Sequence, residues 1–227
     1  EIKSDSIFMS KITNITISRT KFVNTSGVIL SILDSHEILL RKIFVNHICL
    51  ITTAARKKCD GTVIKFSDKI IIENSNFQYS HSSFLNIDNT WIFVAFNNTF
   101  NICKRGAIHI RTNLLSPHLQ PKTVVSYNRF FGCSSLASGG AINIEIAEKR
   151  VNHGDLLAST LNQPVNKTLQ LSIIHSVFRN CTSTSGNGGA MSVEYLRQIT
   201  QHRRQIRIFS RVNLFITNSS FKYNRCT

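Results

Sequence analysis

The chain has 227 residues, 42% of them hydrophobic, enough for one large domain with a sizeable core. Its formal charge of +15 and pI near 10.0 favour a polyanionic neighbour, and no stretch approaches the roughly 18 uninterrupted apolar residues of a membrane-spanning helix. The six cysteines and eight histidines contain no Cys-x-x-Cys and no pair at ligand spacing, which excludes the usual zinc and thioredoxin-type motifs; no metal or other cofactor is expected.

Taken in chain order, the apolar residues alternate. Ile12-Thr-Asn-Ile-Thr-Ile17 opens the pattern, followed by Ile70-Ile-Ile-Glu-Asn74, Trp91-Ile-Phe-Val-Ala-Phe96, Leu169-Gln-Leu-Ser-Ile-Ile174 and Val212-Asn-Leu-Phe-Ile216. A period of two, rich in Ile, Val and Phe, predicts strands with one buried face. A phenylalanine follows each such run, and Phe22, Phe44, Phe77, Phe100, Phe130, Phe178 and Phe221 are expected to form an inward stack, one per turn of a seven-turn solenoid. Three copies of the unit are strong. Residues 127–146 and 176–195 share Phe-x-x-Cys, a polar linker, Gly-Gly-Ala and an alternating strand, and residues 98–110 keep Phe-x-x-Cys and Gly-Ala-Ile.

The excess length of the longer units follows the Gly-Gly-Ala strand, in Arg111 to Lys122, Ala147 to Lys167 and Leu196 to Ile206. Loops inserted at one corner are what a stacked coil tolerates. Coils stacked about 4.8 Å apart bury continuous ladders of Phe, Ile and Val that one coil could not bury alone. The glycines at 139–140 and 188–189 are expected at corners needing positive φ or close backbone approach.

On its Phe-x-x-Cys and Gly-Gly-Ala-Ile/Met motifs the chain resembles the right-handed parallel β-helix repeats of the pectin-lyase-like superfamily. It is most similar to the Phe-x-x-Asn and Gly-Gly-Ala-Ile units of polymorphic outer-membrane autotransporters and of large eukaryotic surface proteins. The resemblance implies an all-β solenoid, a single domain over residues 1–227 belonging to a longer one. The autotransporter relatives imply adhesion or surface display; the lyase and hydrolase relatives imply cleavage of acidic polysaccharide. Catalysis is not expected here. The twelve acidic residues are spread widely, and Asn86-Ile87-Asp88 sits in a weak copy without evident partners.

The functional expectation is an extracellular structural, adhesive or fibre-forming module, with acidic-polysaccharide binding as the alternative and no nucleic-acid role. Its partners would be other coils or subunits of the same protein, end to end. Anion contacts are expected at Arg203, Arg204, Arg207 and Arg211, in the most basic stretch of the chain. Asn14, Asn24, Asn97, Asn166, Asn180 and Asn218 open N-glycosylation sequons. An even cysteine count suits an oxidising compartment. Repeat phase makes Cys103–Cys133 geometrically possible, with Cys181–Cys226 and Cys49–Cys59 as further candidates and a ladder of free thiols as the alternative.

Overall fold

The computed structural model describes residues 7–25, 28–48, 61–113, 121–136, 138–148, 167–184, 186–197 and 210–226. They form a parallel β-helix of seven coils. The first four coils carry three strands each: β1 Ile7–Ser10, β2 Asn14–Ser18, β3 Lys21–Thr25; β4 Leu30–Leu33, β5 Glu37–Arg41, β6 Phe44–Ile48; β7 Thr62–Lys65, β8 Lys69–Glu73, β9 Asn76–Ser80; β10 Leu85–Asp88, β11 Ile92–Phe96, β12 Thr99–Cys103. The last three add a short fourth strand: β13 Ile108–Asn113, β14 Lys122–Ser126, β15 Arg129–Phe131, β16 Ser134–Ser135; β17 Ile142–Glu148, β18 Lys167–Ile174, β19 Val177–Arg179, β20 Thr182–Ser183; β21 Met191–Arg197, β22 Ser210–Thr217, β23 Ser220–Lys222, β24 Arg225–Cys226. Corresponding strands stack in parallel into seven-stranded sheets, here named A (β1 to β21), B (β2 to β22) and C (β3 to β23), with β16, β20 and β24 forming a fourth ladder.

Alternation explains the core. In β11, Phe93 and Ala95 point inward and are buried while Ile92 and Phe96 point out and are exposed. In sheet C the rings of Phe77, Phe100, Phe130, Phe178 and Phe221 stack with centroids 4.8, 4.9, 4.7 and 4.7 Å apart, which is the coil spacing itself.

Two expectations need correction. Phe44 is not in the inward stack: the register pairs Phe22 with Val45 and Val45 with Phe77. Val45 is therefore the buried residue, and Phe44 lies on the outer side, with the Lys21 ammonium 5.5 Å from its ring centroid. A one-residue slip moves every side chain to the opposite face, and two adjacent apolar residues leave the choice open locally. The long connections also do not all share one corner. Those after β13, β17 and β21 join sheet A to sheet B, whereas the one between β6 and β7 joins sheet C to sheet A.

A buried polar ladder runs beside the phenylalanines, two residues before each. The Ser75 amide donates to Asn98 Oδ1 at 2.9 Å, the Asn98 amide to Asn128 Oδ1 at 2.9 Å, the Asn128 amide to Ser176 Oγ at 3.2 Å and the Ser176 amide to Ser219 Oγ at 3.1 Å. Each link joins one coil to the next. Asn128, wholly buried, also accepts from Asn98 Nδ2 at 3.0 Å and donates to the carbonyls of Ala95 at 2.7 Å and Ser126 at 2.9 Å. Replacing it with Ala removes four hydrogen bonds to buried partners, so N128A is expected to cost about 2–4 kcal/mol in a denaturant titration. A cost below about 1 kcal/mol would show that the ladder contributes little.

The corners need left-handed backbone at least twice per coil. Between sheets B and C the residues are Arg19, Lys42, Asn74, Asn97, Tyr127, His175 and Asn218, all with φ from 47° to 56°. Two residues after the inward position of sheet C they are Asn24, His47, Tyr79, Ile102, Gly132, Asn180 and Tyr223. Asparagine tolerates this region better than most residues, which gives a backbone reason for many of the asparagines.

Candidate functional site

The outer face of sheet A gathers charges that are far apart in sequence. Parallel register stacks Asp88, Arg111, Glu145 and Glu194 in one column and Asn86, His109, Asn143 and Ser192 in the next. Asn86 and Asp88, expected to lack partners, therefore stand directly beneath His109 and Arg111. Glu145 is the hub, with a side chain only 16% exposed. It accepts from Arg111 Nη2 at 2.9 Å and Nε at 3.1 Å, and from Asn143 Nδ2 at 3.4 Å. His109 Nε2 lies 3.1 Å from its other oxygen without the alignment of a hydrogen bond. Above it, Ser192 Oγ donates to Glu194 at 3.1 Å.

Among the described residues, several buried polar atoms here have no partner: Asn86 Nδ2, Asp88 Oδ1 and Asn143 Oδ1. Such atoms are costly unless something satisfies them. With Arg111 and Lys65 against three carboxylates, the columns present mixed donors and acceptors rather than a cationic surface. That chemistry suits a hydroxyl-rich ligand better than a polyanion. Among the described residues no group of three His, Cys, Asp or Glu side chains could hold a metal ion.

Elsewhere on the surface, charges pair between coils. Lys69 Nζ meets Glu37 at 3.1 Å, Arg41 Nε meets Glu73 at 3.2 Å, and His36 pairs with Asp68. Between these pairs the outer face of sheet B is apolar, with Leu39, Ile71, Val94 and Val124 in one register column, all half-buried. At the corner before Gly106, Lys104 and Arg105 are exposed; desolvation, with help from the Lys104 charge, lowers the pKa of nearby His81.

Asn14, Asn24, Asn97, Asn180 and Asn218 are exposed, and all but Asn14 occupy left-handed corners. Asn166 lies outside the described residues, as do Cys49, Cys59, Arg203, Arg204 and Arg207. Arg211 lies in β22 opposite Thr168, and its side chain is outside the description. Cys103 and Cys133 are disulfide-bonded, with Cα atoms 4.5 Å apart.

Cys181 and Cys226 are not bonded to each other: both are free thiols, the first buried and the second exposed. Register gives the reason. Cys226 pairs with Ser183 in the fourth ladder, while the residue above Cys181 is Asn224, whose Oδ1 accepts from the Cys181 amide at 2.9 Å. The sequence signal was present, because Phe221-Lys-Tyr-Asn224 is itself a Phe-x-x-Asn unit. Comparison of the chain with protein-family models, with curated proteins and with solved structures returns no match.

Proposed function

We propose that this chain is a structural and adhesive segment of a secreted or cell-surface β-helix protein of the pectin-lyase-like kind, making contacts through its stacked faces and its end. One observation carries the reading. In the seventh coil the inward-row residues Leu214, Ile216 and Phe221 are 46%, 47% and 42% exposed, although they stand in register with fully buried Leu171, Ile173 and Phe178. A second subunit stacked there would extend the same ladders and cover the strand edges. The buried disulfide favours an oxidising setting, and the apolar column of sheet B offers a lateral contact.

The test is sedimentation across a concentration series for the wild type and for a Leu214→Asp, Phe221→Asp double variant. End-to-end assembly is expected from the wild type and should be lost from the variant. A wild type that stays monomeric throughout would contradict stacking through this end.

A second reading, carbohydrate contact on the outer face of sheet A, is favoured by the Glu145 cluster and its unpartnered neighbours. Glu145→Gln is then expected to weaken retention on an immobilised neutral glycan by about tenfold, the loss of one charge-assisted contact. Unchanged retention would remove the cluster from recognition.

A further inference from the structure

We propose that Cys103, Cys133 and Cys181 form an exchange column in which one disulfide moves between two positions, Cys103–Cys133 and Cys133–Cys181. The register Phe100 to Phe130 to Phe178 places a cysteine three residues later in each of three consecutive coils, all facing inward and all fully buried. Cys133 is the middle member. Cys103 lies on one side of it, bonded. On the other side is Cys181, whose sulfur faces the Phe130 carbonyl of the Cys133 coil at 3.9 Å; the next amide, that of Thr182, donates to the Cys133 carbonyl at 2.8 Å.

An attacking thiolate must approach a disulfide sulfur opposite the leaving sulfur, and the stacking order places Cys181 on the side of Cys133 away from Cys103. The Cys181 thiolate attacks Cys133 Sγ, the Cys133–Cys181 bond forms, and the Cys103–Cys133 bond breaks. Cys103 leaves as a thiolate and takes up the proton that Cys181 gave up. No oxidant or reductant is consumed. The two arrangements close separations of 30 residues and, from Cys133 to Cys181, 48 residues, a difference of about twofold in loop-closure probability, so chain entropy permits both. The clip then ties the middle coil either to the coil below or to the coil above.

Exchange is slow at neutral pH. Desolvation pushes the Cys181 thiol up to about 11, against the opposing effect of contacts with the Cys133 and Arg179 backbones. The charged side chains nearest in sequence and register, Arg179 and Arg225, are exposed. Attack requires the thiolate, so the exchange rate is expected to rise about tenfold per pH unit up to that value.

The test uses the folded chain in a Cys49→Ser, Cys59→Ser, Cys226→Ser background, which leaves Cys103, Cys133 and Cys181 as its cysteines. The protein is equilibrated without reductant at pH 9, quenched in acid, denatured and alkylated, and peptides carrying Cys103 and Cys181 are quantified by mass spectrometry. Alkylation of both, in amounts within a few-fold of each other, is the expected result. Alkylation of Cys181 alone at every time would overturn the proposal. Two variants with retained β-type circular dichroism add independent readouts. C103S is expected to link Cys133 to Cys181, and two free thiols in it after air oxidation would overturn the proposal. C133S is expected to leave Cys103 and Cys181 unlinked, and a bond between them would show that the sulfurs are not ordered as a column.

Discussion

Gly140→Ala is expected to unfold the C-terminal half of the solenoid or to cost about 5 kcal/mol or more, beyond the usual range for a single substitution. The two Gly-Gly pairs divide their work. Gly139 and Gly188 have positive φ, whereas Gly140 and Gly189 sit where one coil passes against the next. A Cβ on Gly140 would overlap the Gly189 carbonyl oxygen and lie 2.6 and 2.7 Å from the carbonyl oxygen and amide nitrogen of Thr182. Backbone cannot rotate aside as a side chain does, and the Thr182 amide is held by its bond to Cys133. The comparator is Gly132. It has φ 61° and open space, with only Ile102 Cγ1 at 3.8 Å, and its column holds Asn24, Tyr79 and Asn180 in other coils. Gly132→Asn is expected to be nearly neutral. Thermal denaturation of the two variants measures the difference, and equal stabilities would contradict close approach as the role of Gly140.

Phe130→Ala carries the second large effect. Its ring lies at the middle of the stack, 4.9 Å from Phe100 and 4.7 Å from Phe178, and it is wholly buried. Truncation removes the ring and leaves a cavity between coils that cannot collapse while neighbouring strands keep their register, so a loss of about 3–5 kcal/mol is expected. Phe221→Ala offers the contrast: among the described residues its ring stacks on Phe178 alone and it is 42% exposed, so its loss should be less than half as large. Urea midpoints for the two variants test the pair. A larger loss at Phe221 would contradict a stack whose energy comes from enclosure on both sides.

The solenoid was legible because its signal is local. Phe-x-x-Cys, Gly-Gly-Ala and alternating strands each lie within one coil, and every one of the seven phenylalanines marks a strand of sheet C. What failed to show was vertical. Phe44 and Val45 are both apolar, and only the neighbouring coils decide which one faces in. The polar ladder left a trace, a Ser or Asn two residues before each of the last five phenylalanines, but outside a stack such residues read as turn formers. Cys226 stands two residues past the phase of Cys181, in register with Ser183.

The Glu145 cluster was hidden most deeply. Asp88, Glu145 and Glu194 are separated by connections of unequal length, yet parallel pairing brings them into one column with Arg111. Acidic residues counted along the chain look dispersed; counted along the solenoid axis they cluster. The same logic places Cys103, Cys133 and Cys181 in one line. In a stacked fold, chemistry belongs to columns, and its sequence signature is a residue type recurring at one phase of an irregular repeat.

The measurement that tests the account most directly is the intact mass of the natively purified protein, non-reduced, before and after enzymatic removal of N-glycans. An extracellular glycoprotein is expected to have a mass well above the 25.6 kDa of the bare chain, falling on glycan removal, with at least one disulfide retained. A mass of 25.6 kDa with all six thiols free would contradict an extracellular module.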